Sequence, residues 1–341
     1  MKKKSLVIGD IASHLNISVT TVSFILNGKA QEKRISEKLT QKVINYAREV
    51  NYTPNLLAQS LRTGKTNLIG LIVENISNPF FANIARLIEE NAYKNGFRII
   101  YCSSENDTKK AKELMKVFRE RKIDAYIIIP TENTENEVNN LLNENARVVL
   151  LDRYFPGLST NYVGVNNSES TYNAICHLIE QGFQRIGFVT LSSAQTQMNE
   201  RLDGYNRAID ENNLKSYIKK ILFDDNNNDH YIKHITKFFQ KEKTIDAVFF
   251  ATNYLGISGL EAIRNLKKKI PSNIGVISFD DHDAFRLYSP AITAIAQPIE
   301  EMSEQLINIL LEDLDSNNSN KKTKTIILPA KLIIRESSIK K

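Results

Sequence analysis

The chain has little of what marks a secreted or membrane-spanning protein. Only two of its 341 residues are cysteine, Cys102 and Cys176, far apart and each inside an apolar pattern. Buried thiols in a reducing compartment are expected, not a disulfide framework. No window approaches the roughly 18 consecutive apolar residues of a membrane helix. Runs such as Tyr126 to Ile129 and Ala247 to Ala251 stop at strand length. The basic start Met1-Lys2-Lys3-Lys4 is followed by an apolar stretch only from Leu6 to Ile8 before Asp10, too short for a signal peptide, so a cytoplasmic location is expected. Catalytic signatures are missing too: there is no Gly-x-x-x-x-Gly-Lys, Gly-x-Gly-x-x-Gly, Gly-x-Ser-x-Gly or His-Glu-x-x-His. The expectation is a protein without enzymatic activity or cofactor. Asp280-Asp281-His282-Asp283 offers metal-ligating residue types, but neighbours in sequence do not converge as ligands from several elements do, so no metal is expected either. With 42% apolar and 25% charged residues, the chain suits two or three packed domains.

Charge is unevenly placed. Residues 1–65 carry 11 Lys and Arg against 4 acids, a net of +7, whereas the rest carries 34 basic and 35 acidic side chains. A small basic head on a balanced body suits a head that meets a polyanion. The plainer alternative is a solvated basic tail.

Pattern favours the first reading. Ile8, Ile11, Ala12 and Leu15 recur at helical spacing, Asn16-Ile17-Ser18 interrupts them, and Ser18 can cap a second helix running to about Leu26. Two short helices around a tight turn make a helix-turn-helix unit. In the second helix Val22, Ile25 and Leu26 can face inward with Ile17, leaving Val19, Thr20, Ser23, Phe24 and Asn27 outward. Such a face suits a DNA major groove, where hydroxyls and amides bond phosphates and base edges and apolar groups meet thymine methyls. A third helix from the Ser36 cap, with Leu39, Val43, Ile44 and Ala47 on one face, would close the core. A generic three-helix bundle is the alternative. Beyond it, Thr53 and Pro54 open a helix of barely two turns, too short to persist alone in water.

The stretches "DIASHLNISVTTVSFILNG" and "NYTPNLLAQSLRTGKTNLIGLIV" resemble the DNA-binding head and hinge of the LacI/GalR family of bacterial transcription regulators. The likeness continues through "ISNPFF", "VVLLDR", "ERLDGY", "VISFDD" and "LIIRES", so it spans nearly the whole chain. It implies a helix-turn-helix head over residues 1–52, a hinge helix and linker over 53–65, and an effector-binding and dimerisation core over 66–341. It implies binding of a homodimer to a palindromic operator in double-stranded DNA, with Leu61 wedged into the minor groove, Ala58 beside it and Asn55 near the backbone. Ser18, Val19, Thr20, Thr21, Ser23, Phe24, Asn27 and Tyr52 join these as candidate DNA contacts. Two departures bear on base preference: Phe24 stands where the family often has arginine, and the loop Gly28 to Arg34 is about three residues longer than usual. Lys29, Lys33 and Arg34 in that loop are further candidates for phosphate contact, or are simply solvated. With no heptad segment after Arg335-Glu336-Ser337, a tetramerising tail is not expected.

From Asn67 onward short apolar runs alternate with helical segments: Leu68 to Val73, a helix over Pro79 to Asn95, Arg98 to Cys102, a helix near Lys109 to Arg121, and Ala125 to Ile129. Val148 to Leu151, Ile186 to Thr190, Ala247 to Ala251 and Val276 to Phe279 continue the series. The fold class expected is α/β: two doubly wound parallel-sheet subdomains, behind a small all-α head. The family resemblance implies a periplasmic-binding-protein type I architecture, with the chain crossing between subdomains near Asn166, Gln297 and Thr323. Asp313 to Lys324 reads as a solvated loop. No 20- to 50-residue repeat is evident.

Ligands of open parallel sheets sit beyond the carboxyl ends of strands. The candidates there are Asn75, Ser77, Asn78, Phe80 and Phe81, then Asp152 and Arg153, Asn253, and Asp280; Arg201 in "ERLDGY" joins them by resemblance. Carboxylates, amides, guanidinium groups and an aromatic face suit a polyhydroxylated effector, a sugar or sugar derivative. Arg153 with Arg201 could clamp an acidic sugar or phosphate, or each could bond neutral hydroxyls. Tyr254 follows Asn253 where the family commonly has aspartate and is expected to reshape the rim. A carbohydrate-binding protein without specific DNA recognition is the alternative function.

Overall fold

A computed structural model describes residues 6–52, 64–224, 228–315 and 322–340. The chain divides into two compact units between Thr66 and Asn67.

Among its described residues the first unit contains three helices: α1 (Ile8–Leu15), α2 (Val19–Leu26) and α3 (Glu37–Glu49). Asn16 closes α1 in the left-handed region at φ 54°, which asparagine tolerates. Two residues later the Ser18 hydroxyl accepts the Thr21 N–H at 3.0 Å and starts α2. Ser36 caps α3 in the same way, accepting from the Leu39 N–H at 3.4 Å. Ile11, Ala12, Val22, Ile25, Val43 and Ala47 fill the core between the helices, with Ala30 from the connecting loop.

The second unit holds two six-stranded sheets. The first contains β1 (Leu68–Val73), β2 (Arg98–Ser103), β3 (Ala125–Ile128), β4 (Arg147–Leu151), β5 (Asn161–Val165) and β11 (Thr325–Leu328), in the order β11-β5-β4-β3-β1-β2, all parallel. The second contains β6 (Ile186–Leu191), β7 (Tyr217–Ile221), β8 (Ala247–Phe250), β9 (Gly275–Phe279), β10 (Thr293–Ala296) and β12 (Lys331–Ile333), in the order β12-β10-β9-β8-β6-β7. Only β12 runs antiparallel to its neighbour. The central strands are apolar without alternation because helices cover both faces. Those helices are α4 (Pro79–Lys94), α5 (Thr108–Glu120), α6 (Glu135–Asn143), α7 (Asn167–Glu180), α8 (Thr196–Glu211), α9 (Asn228–Lys241), α10 (Asn253–Asn265), α11 (Asp283–Leu287) and α12 (Ile299–Asp315). None of the described helices is long and apolar enough to cross a membrane.

The chain passes between the sheets at Asn166, at Gln297 and Pro298, and at Pro329 and Ala330. The last crossing corrects the expected one near Thr323: Thr325–Leu328 first joins sheet one beside β5, and only then does the chain cross. The expected loop from Asp313 is also shorter, because α12 runs to Asp315. Asp313 is held there by the Asn161 side-chain amide at 2.9 Å, and the Lys324 N–H in turn donates to Asn161 Oδ1 at 2.9 Å.

Both sheets reverse strand order between the first strand and its neighbour, at β1/β3 and at β6/β8. Such reversals open a crevice at the carboxyl ends of strands. Within the second subdomain α7 and α8 pack so closely that a Cβ on Gly204 would lie 2.1 Å from the Ser168 carbonyl oxygen. Backbone cannot yield as a flexible side chain does. Gly204→Ala is therefore expected to destabilise the second unit by about 3 kcal/mol, read as a lowered urea midpoint.

Candidate functional site

On the head, the polar candidates gather at the start of α2. The Ser18 and Thr21 hydroxyls are 2.8 Å apart, so both lie at the cap of α2. Val19 and Thr20 are exposed, and Ser23 and Phe24 are half-buried. Asn27 folds back and donates to the Ser23 carbonyl at 2.7 Å. The long loop is organised around buried Ala30, and Lys29, Lys33 and Arg34 project from it into solvent. Lys33 Nζ pairs with Glu32 at 3.0 Å and lies 5.5 Å from the Phe24 ring centroid, which brings the loop's charge beside the outward face of α2. Tyr52 is half-buried against the head core, and burial pushes its phenol pKa up. Asn55, Ala58 and Leu61 lie outside the described residues.

In the body, the crevice between the sheets is lined by Glu74, Asn78, Phe80, Phe81 and Asp152, and on its other side by Gln195, Gln197, Arg201, Thr252, Tyr254, Asp280 and Gln297. Asp152 and Asp280 occupy equivalent places, each the first residue past its strand, and β4 and β9 hold the same position in their sheets. Both adopt positive φ, 68° and 63°, a conformation aspartate accepts more readily than most residues. Burial raises both pKa values, and the nearby arginines pull them back: Arg153 and then Arg201 act on Asp152, and Arg201 on Asp280. Gln297 donates to Asp280 Oδ1 at 2.6 Å.

Arg201 lies flat over the Phe279 ring, its guanidinium carbon 3.5 Å from the centroid. Nε donates to Asn167 Oδ1 at 2.8 Å and Nη1 to the Ala251 carbonyl at 2.7 Å. Arg153 sits behind the lining: it is 2% exposed, pairs with Glu74 at 2.6 Å and donates to Asn106 at 3.1 Å. An arginine so engaged is poorly placed to clamp a second anion.

The crevice is closed by direct bonds between its walls. Asn78 and Asn253 exchange amide hydrogen bonds at 3.2 and 2.9 Å. Glu132 accepts from the Ser193 hydroxyl at 2.7 Å and the Ala194 N–H at 2.8 Å, and Asn106 accepts from Gln195 at 3.2 Å. The cavity left inside is about 20 Å³, the space of roughly one water. A recess of about 260 Å³ adjoins it, shares Glu74, Asn78 and Tyr254, and receives Ser77 and Asn253. Tyr254 thus stands at the mouth between the two.

Three buried polar atoms in or beside the crevice lack a hydrogen-bond partner among the described residues: Arg153 Nε, which only faces the Asp152 carboxylate at 3.9 Å, Gln197 Oε1 and Gln297 Oε1. Such orphans are uncommon in folded proteins. Sequence reading missed Glu74, Gln195, Gln197 and Gln297. The strand-end rule reaches the first three, which follow β1 and β6, but not Gln297, whose preceding strand β10, Thr-Ala-Ile-Ala, has a single large apolar residue and no apolar run to mark it. In the run Asp280 to Asp283, Asp281 takes both Arg335 Nη groups at 2.8 and 2.7 Å, Asp283 pairs with Arg286, and His282 Nδ1 accepts the Ala284 N–H.

Because native Asp152 and Asp280 hold their protons to higher pH than the unfolded chain does, their ionisation opposes folding. Unfolding free energy is expected to fall as pH rises from the ordinary carboxylate value of 3.8 through the raised native values, and Asp152→Asn is expected to flatten that fall in urea titrations at successive pH values.

Residues 7–55 match the bacterial regulatory proteins of the lacI family, and residues 175–338 match a periplasmic binding protein-like domain. The HTH-type transcriptional repressor PurR of Haemophilus influenzae (strain PittEE) is 26% identical over 334 residues, covering 97% of this chain and 98% of that one. The HTH-type transcriptional regulator DegA of Bacillus subtilis (strain 168) is 28% identical over 333 residues, covering 96% and 97%. Among solved structures, the lac repressor dimer bound to operator and the anti-inducer ONPF matches with a TM-score of 0.86 at 19% identity, covering 98% of this chain and 100% of that one. A LacI family transcriptional regulator from Enterococcus faecium with bound ribose matches with a TM-score of 0.70 at 24% identity, covering 79% and 98%.

Proposed function

Since the chain belongs to the LacI family of bacterial transcription regulators, we propose that it is an operator-binding repressor whose affinity for DNA is set by a neutral sugar or related polyol in the crevice. It acts as a cytoplasmic homodimer, each head reading one half of a palindrome. Residues 1–52 form the reading head, 53–65 the hinge and 66–341 the effector-binding and dimerisation core. The same assignment gives Leu61, Ala58 and Asn55 to the operator centre and the outward face of α2 with Lys29, Lys33 and Arg34 to the half-site.

The observation that carries the choice of effector is the surplus of acceptors in the crevice: Asp152, Asp280 and the orphaned carbonyls of Gln197 and Gln297. Acceptors ask for a ligand rich in hydroxyl donors, and Arg153, already paired with Glu74, offers little to a phosphate or sugar acid. The ribose held by the Enterococcus faecium regulator supports the same ligand class. Because the closed crevice holds about one water, the ligand enters an opened form and replaces wall-to-wall bonds with its own. It can shift the balance of open and closed bodies only by its difference in affinity for them.

A thermal-shift screen of neutral sugars, sugar acids and sugar phosphates tests the effector. Neutral sugars are expected to raise the melting temperature, since saturation at about 100 times the dissociation constant adds roughly 2.7 kcal/mol. Arg201→Ala and Asp280→Ala should each abolish the response. A shift from phosphates alone would refute the neutral ligand.

The DNA reading is tested by selecting a preferred duplex from random sequence. A palindrome is expected, with Leu61→Ala lowering the preference for it over random DNA; equal affinity for both duplexes at physiological salt would refute operator recognition. Lys33→Ala and Arg34→Ala are each expected to reduce the slope of log affinity against log salt by about 1 per dimer-bound phosphate lost.

A further inference from the structure

A second cavity, of about 620 Å³, lies beside the crossing at Asn166 and is walled by both subdomains. One wall is apolar and comes from the loop between β4 and β5, from β5 itself and from β11: Tyr154, Phe155, Leu158, Tyr162 and Ile327. The other comes from the starts of α7 and α8 and is polar. Its charges are unequal in their partners. Arg207 and Glu169 pair with each other at 2.6 Å. Glu200 has no cation among the described residues: its carboxylate accepts only from the Tyr154 hydroxyl at 3.1 Å and the Asn167 amide at 3.0 Å. Within the same lining Thr160 is 7% exposed and its hydroxyl has no partner among the described residues.

An aromatic and aliphatic wall facing an unpaired carboxylate is complementary to a flat apolar body bearing a positive charge. We propose that this cavity is a second ligand site, distinct from the crevice, for a small aromatic amine whose ammonium group pairs with Glu200 while its ring lies on the apolar wall.

The site is joined to the crevice by a short relay. Asn167 donates to Glu200 and accepts from Arg201 Nε, and Arg201 covers Phe279 in the crevice. Tyr154 belongs to the first subdomain and Glu200 to the second, so an amine that takes the Glu200 carboxylate competes with a bond between subdomains. Occupancy of the cavity therefore acts on the same open–closed balance as the crevice, without sharing its lining.

The chain has no tryptophan, so Ile327→Trp, at an exposed position in the wall, gives a single local reporter. Tyramine is expected to change its emission saturably. In that background Glu200→Gln should weaken the apparent affinity by about tenfold or more. 4-Hydroxyphenylacetate, with a carboxylate in place of the ammonium, should give no response. Thr160→Val, which keeps the shape and removes only the unpartnered hydroxyl, is the second variant and should weaken tyramine severalfold. A flat titration, equal responses to the two probes, or unchanged affinity in Glu200→Gln or Thr160→Val would overturn the proposal.

Discussion

The centre of the body is organised by the burial of the Arg201 guanidinium without a carboxylate at contact distance. A charge so placed is costly unless every face of it is engaged. Here the ring of Phe279 covers one face, Asn167 and the Ala251 carbonyl take hydrogen bonds, and Asp152 and Asp280 contribute at longer range. Each partner comes from a different element: the end of β9, the start of α7, the end of β8, and the turns after β4 and β9. Arg201 thereby fixes the distance between a crossing segment and the floor of the crevice. Movement of either is felt by the other.

The two carboxylates answer that charge in a symmetric way. The same backbone turn, at the same strand of each sheet, sends one aspartate in from each side. The duplication sets two like charges in one buried space, tolerable because two arginines share it. It also leaves the crevice with more acceptors than donors. Wall-to-wall bonds such as Asn78 with Asn253 satisfy part of the surplus in the closed body.

The head was legible because its signals are local. Asn16 for the left-handed turn, Ser18 and Ser36 for the caps and the spacing of Ile11, Val22 and Val43 all act within a few residues. The strands Leu68–Val73 and Val148 to Leu151 were legible for a related reason, being uninterrupted apolar runs. Others carried no such mark: β7, Tyr-Ile-Lys-Lys-Ile, is an edge strand with solvent on one face, β10 is Thr-Ala-Ile-Ala, and β12 has three residues. The third crossing was misplaced for the same cause, since the pairing of Thr325–Leu328 with β5 is a contact across more than 150 residues and leaves no trace in its neighbourhood. In the crevice Asp152, Arg201 and Asp280 are legible through strand ends and family likeness. Glu74 and the glutamines are not, because their roles come only from what the fold brings around them.

The crossing at Pro329 and Ala330 has a consequence for how the body comes into being. Sheet one begins at Leu68, yet its edge strand β11 and the helix α12 that packs on α4 belong to the last stretch of described chain, after nearly all of sheet two. The first subdomain is thus discontinuous, and synthesis supplies its closing pieces only when the second is almost complete. Contacts of such long range are slow to form, because the loop they close must be ordered before they reward it. During that interval β5 presents an unpaired edge, the kind of surface on which nascent chains associate wrongly. The two subdomains, though each has its own sheet, therefore cannot mature independently.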